Sequence, residues 1–83
     1  MKLVNTIKRI DALNKAMNRM PITGKYDDIY DKLYDKRDEL RKSLRAWRSE
    51  YPEGSEIRRA RRHQFELACR LLNVSKHYIN RSL

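Results

Sequence analysis

The run YDDIYDKLYDKRDELRKSLRAWRSE, residues 26–50, contains neither glycine nor proline, and its reading decides the fold. As a continuous helix it would extend about 38 Å, at 1.5 Å per residue. Its apolar positions are Ile29, Leu33, Leu40, Leu44 and Trp47, continued by Tyr51, with Lys36 and Arg37 where one more apolar residue would fall. That spacing is close to a heptad seam, so this helix is expected to pack lengthwise against another. Asp27 and Asp28 open it and Arg45 and Arg48 close it, the order that suits the helix macrodipole.

Both flanks of the run carry the breakers it lacks. Met20-Pro21-Ile22-Thr23-Gly24 precedes it and Tyr51-Pro52-Glu53-Gly54-Ser55 follows, and these clusters hold every glycine and proline of the chain. Upstream, Leu3, Ile7, Ile10, Leu13, Met17 and Met20 recur at spacings of four and three, one apolar stripe on an amphipathic helix. Downstream, Ser55 suits a helix N-cap. Ile57, Ala60, Gln64, Leu67, Ala68 and Leu71 then form a stripe that Phe65, Cys69 and Leu72 broaden. Asn73 tolerates the left-handed conformation of a helix stop, after which Ser75 can open a last short helix. The expected fold is all-α. It is a single domain of three antiparallel helices, about 2–19, 26–50 and 55–72, with a short C-terminal helix at about 76–83. The long seam of the second helix further suggests that two copies could pair.

Charge narrows the functional classes. Twenty Lys and Arg against eleven Asp and Glu give a net charge of +9 over 83 residues. A field of that size attracts phosphate polymers and costs self-repulsion in a compact state. It is not spread evenly. Residues 1–39 hold nine basic and seven acidic side chains, whereas residues 40–83 hold eleven basic and four acidic. Six acids, Asp27, Asp28, Asp31, Asp35, Asp38 and Glu39, crowd the first half of the long helix, which makes that half a poor surface for phosphate.

Arg37, just before the basic half, and Arg41, Arg45 and Arg48 within it recur at spacings of four, four and three, with Lys42 beside them. Arg58, Arg59, Arg61 and Arg62 open the third helix, and Arg70, Lys76 and Arg81 follow. Like charges one turn apart repel, and nine of the eleven cations are arginine. Arginine forks onto phosphate and stacks on bases, where lysine would serve solubility alone. These twelve residues are the expected nucleic-acid contacts. RNA is slightly favoured over DNA, since arginine-rich helices and exposed bases suit one another. Tyr26, Tyr30 and Tyr34 could stack on bases too, but their aspartate neighbours fit an ordinary interface edge better.

Residues 67–83, from Leu67-Ala68-Cys69 through Asn73-Val74-Ser75 to Ile79 and Leu83, resemble the helix-turn-helix of bacterial repressors. Ala68 or Cys69 holds the small-residue place, Asn73 the turn, Ile79 the β-branched place and Leu83 the closing leucine. The resemblance implies a DNA-binding regulator whose Lys76, His77, Tyr78, Asn80 and Arg81 face a major groove.

No glycine-rich phosphate loop occurs, and no carboxylate pair sits near a nucleophile, so no catalytic activity is expected. His63, Cys69 and His77 fit no zinc spacing, and no cofactor is expected. With one cysteine, no secretory signal pattern and no run approaching the ~20 apolar residues of a membrane span, a cytoplasmic protein with no membrane partner is expected. In size and charge the chain also resembles the accessory proteins of phages and mobile elements. That resemblance implies a second possibility, an inhibitor or adaptor of a host protein that acts with or without RNA.

Overall fold

The computed structural model describes residues 2–21 and 24–79. The described residues are all-α, with four helices: α1 Leu3–Arg19, α2 Asp27–Arg48, α3 Glu56–Leu71 and α4 Lys76–Ile79. A single 3₁₀ turn, Gly24–Tyr26, leads into α2. The molecule is elongated, 48 × 23 × 19 Å. Helix α1 pairs with α2, and α3 and α4 pack on the end of that hairpin formed by the first half of α1 and the second half of α2.

The core gathers Ile7 and Ile10 from α1, Leu44 from α2, Phe65, Ala68 and Cys69 from α3, and Ile79 from α4. Leu3, Leu40, Trp47, Leu72 and Val74 pack around it. All four helices therefore depend on one small cluster, as a chain of this size requires. Met17 is buried farther along α1.

The ends of α3 follow from side-chain and backbone chemistry. Ser55 is extended, and its Oγ accepts the Arg58 backbone N–H at 3.2 Å, which satisfies one of the orphan donors of the first turn. Gly54 just before it has φ +83°, a conformation that glycine adopts without steric cost. At the other end Asn73 has φ 55°. Its N–H donates to the Arg70 carbonyl and the Val74 N–H to the Cys69 carbonyl, both at 3.0 Å. This is a Schellman closure, and it turns Val74 back onto the core.

The buried faces differ in two places from the periodic stripes. In α3 the inward side chains are Phe65, Ala68 and Cys69, while Ile57, Ala60, Gln64, Leu67 and Leu71 face solvent. Phe65 and Cys69 join the cluster that holds Leu44 and Ile10, so this face of the helix turns inward. In α2 the seam is fully buried only at Leu44, with Leu33, Leu40 and Trp47 half-buried. Leu44 is 1% exposed, whereas Ile29 is 49% exposed.

Candidate functional site

The arginine row of α2 does not form one surface. Arg37 reaches inward, its Nη1 donating to Asn14 Oδ1 at 2.7 Å, with its guanidinium over the Tyr34 ring. Arg41 is only 4% exposed. Its Nε donates to the Ile79 carbonyl at 3.2 Å and its Nη2 to the Tyr78 carbonyl at 2.9 Å. Arg45 points to solvent. Arg48 is half-buried, with its guanidinium carbon over the Phe65 ring, 4.5 Å from its centroid. Lys42, beside the row, is tied to Asp38 at 3.1 Å.

The cluster opening α3 divides in the same way. Arg61 Nη1 donates to the Trp47 carbonyl and to Glu50 Oε2, both at 2.6 Å. Its guanidinium also lies against the Trp47 and Tyr51 rings, at 5.0 and 4.8 Å. Arg58 donates to the Tyr51 carbonyl at 3.3 Å and stands 3.9 Å from Glu53. Arg59 and Arg62 are exposed. Farther on, Arg70 is exposed and Lys76 is paired with Glu66 at 3.2 Å. Arg81 lies outside the described residues.

Much of the arginine is thus structural. Arg41 and Arg61 donate to main-chain carbonyls, and Arg37, Arg48 and Arg61 stack on aromatic rings. A guanidinium can do both because it is planar, weakly hydrated and rich in donors. Such roles are invisible in spacing, because an interior arginine and a surface arginine recur with the same helical period. The aromatic residues Trp47, Tyr51 and Phe65 lie on either side of or within the 49–55 connection, which brings them to Arg61 and Arg48.

What remains convergent is one cleft of about 320 Å³, lined by Arg45, Arg48, Ser49, Arg58 and Arg62. It lies where the last turn of α2 meets the first two turns of α3. Two kinds of guanidinium line it. Arg48 and Arg58 form the wall, positioned by Phe65 and by the Tyr51 carbonyl. Arg45 and Arg62 stand at the rim, exposed, with no hydrogen bond or ion pair to a described residue. The positive charges oppose one another. Burial first, and then the neighbouring Arg45, hold the Arg48 guanidinium below the ordinary arginine range. An anion in the cleft would relieve that repulsion with several charge-assisted hydrogen bonds.

The region that resembles a repressor helix-turn-helix has the expected left-handed Asn73 and a buried Ile79. Of its groove-facing positions, Lys76 is held by Glu66, and the Tyr78 hydroxyl accepts from Asn18 Nδ2 at 2.9 Å. His77 is exposed. Asn80, Arg81 and Leu83 lie outside the described residues. Among the described residues no group of His, Cys, Asp or Glu could hold a metal ion, and no helix is long and apolar enough to cross a membrane. No protein family, curated protein or solved structure matches this chain.

Proposed function

We propose that this protein is a non-catalytic nucleic-acid binder that seats backbone phosphate in the cleft between α2 and α3. One observation carries the reading. Four guanidiniums converge on that cleft, and the two at its rim, Arg45 and Arg62, have no partner among the described residues. Arg59, exposed on the same stretch of α3, extends the positive surface. Phosphate is the polyanion group that matches a fork of arginine donors.

RNA is the favoured polymer. The helix that would enter a DNA major groove has Lys76 and Tyr78 engaged within the protein. Arginine-lined clefts suit instead the irregular backbones and exposed bases of folded or single-stranded RNA.

Fluorescence anisotropy with labelled RNA and DNA of matched sequence, across a salt series, tests the proposal. Phosphate contacts release counterions, and four of them give a log–log salt slope of about −3 on a single strand. Arg45→Glu and Arg62→Glu should each weaken binding strongly and flatten the slope, and neither should lower thermal stability, since both side chains are exposed. Absence of binding to either polymer at low salt would refute the proposal. So would binding that both variants retain.

A further inference from the structure

We propose that the solvent-facing stripe of α3 is a self-association surface on which two copies of this chain pair antiparallel, α3 against α3. Ile57, Ala60, Gln64, Leu67 and Leu71 recur at spacings of three, four, three and four, the a/d pattern of a two-helix seam. None of them is buried within the chain. Ile57 is 47% exposed, Leu67 40% and Leu71 82%, and Ala60 and Gln64 are exposed as well. The neighbouring face of the same helix, Phe65, Ala68 and Cys69, is spent on the core. The seam is therefore a second apolar face with no partner among the described helices.

A second copy fits this seam by shape and by charge. In an antiparallel pair with Gln64 opposite Gln64, Ile57 of each copy meets Leu71 of the other, and Leu67 lies over the small Ala60. The two Gln64 amides face one another on the two-fold axis, where each can donate and accept. Beside the seam, Glu56 stands in the first turn of α3 and Arg70 in the last. Both are exposed and without a partner among the described residues. Antiparallel pairing brings Glu56 of each copy toward Arg70 of the other, two opposite-charge contacts from one pair of residues.

The arrangement leaves the arginine cleft open. Arg62 and Gln64 are two residues apart, about 200° around the helix, so the cleft residue points away from the seam. Self-association and anion binding can coexist, and they respond oppositely to salt. Salt screens the repulsion between two copies of charge +9 and so favours pairing. The same salt weakens phosphate contacts.

The test is sedimentation equilibrium of the nuclease-treated full chain from about 1 to about 200 µM at physiological salt. The expected result is a mass that rises from 10.1 kDa toward twice that value. Leu71→Glu, at a position exposed in the single chain, should weaken association about tenfold or more. Glu56→Arg and Arg70→Glu should each weaken it, and the two together should restore it. A single-chain mass throughout the range would overturn the proposal. Association that is insensitive to Leu71→Glu would overturn it too, because it would place the contact on another face. Failure of the double reversal to restore pairing would overturn the antiparallel arrangement. Circular dichroism melts of each variant establish that it is folded, and a nucleic-acid titration of Leu71→Glu separates this surface from the cleft, since phosphate binding should persist.

Discussion

Replacing Arg41 by methionine isolates what a buried guanidinium contributes to this fold. Methionine keeps much of the stem volume and removes the charge. Arg41 supplies two charge-assisted hydrogen bonds, to the carbonyls of Tyr78 and Ile79, each worth about 1.5–3 kcal/mol. Against that stands the cost of keeping a guanidinium at 4% exposure, several kcal/mol that the variant no longer bears. Replacing only the donor does not leave a neutral apolar swap, however, because both carbonyls stay behind. They must remain unsatisfied or pull α4 off the core. In the second case Ile79, fully buried, is exposed at a cost of about 1.5–3 kcal/mol. The cheaper outcome sets the loss, about 2–3 kcal/mol.

For a domain of this length that corresponds to a fall in Tm of roughly 10–20 °C, out of a total stability on the order of 4–12 kcal/mol. Circular dichroism at 222 nm follows helix content, and Trp47 fluorescence follows the core. Arg41→Lys should recover less than half of the loss, because a single ammonium cannot fork onto two carbonyls. If both Arg41 and Ile79 act by docking α4, then Arg41→Met and Ile79→Ala together should cost clearly less than the sum of their separate effects. A Met variant that melts within about 2 °C of the parent, or above it, would refute this reasoning.

Three further outcomes are expected. Arg61→Ala removes the bonds to the Trp47 carbonyl and Glu50 and the stack on Trp47 and Tyr51, and should lower stability by about 2 kcal/mol. The same variant should also speed proteolysis in the 49–55 connection. Asn73→Val forces a β-branched residue to φ 55° and should cost about 1–2 kcal/mol in urea denaturation, whereas Asn73→Gly should be neutral or better. Burial pushes the Cys69 thiol above its ordinary range, so the folded state keeps the proton that the unfolded chain gives up. The stability from this group is intact below the free-thiol pKa of about 8.5 and declines as pH rises from there through the folded value. Cys69→Ala should show a shallower decline between neutral and alkaline pH, and a slope equal to the parent's would count against the assignment.

Local signals in the sequence located the helices well. Two breaker clusters, Ser55 and Asn73 act over a few residues, and their geometry is set by nearby backbone. The capped start of α3 and its left-handed stop appear where those residues stand. Which face of a helix is buried depends instead on the partner's shape. The stripe from Ile57 to Leu71 is the more regular one, yet Phe65 and Cys69 are what join the cluster of Ile10 and Leu44. Arg41 and Arg61 were unreadable for a related reason. A cation's hydrogen-bond acceptors here are main-chain carbonyls 37 and 14 residues away along the chain, and carbonyls leave no trace in residue type. The cleft itself was partly legible. All four of its arginines stood out as a basic concentration, but nothing in residue type tells Arg45 and Arg62, which stay exposed, from Arg37, Arg41 and Arg61, which the fold engages.

The unequal charge along α2 has a consequence for approach as well as for contact. Asp27, Asp28, Asp31 and Asp35 begin the helix and Arg45 and Arg48 end it, about 27 Å away along its axis. The molecule carries an electric dipole on top of its net charge. Near a polyanion the net charge draws it in, while the dipole exerts a torque that turns the α2–α3 junction forward and the aspartates away. Encounter is then biased toward an end-on orientation before any side chain touches. Under the proposed function, a rod that arrives end-on would cover a short length of strand and leave room for neighbours that a side-on rod would block.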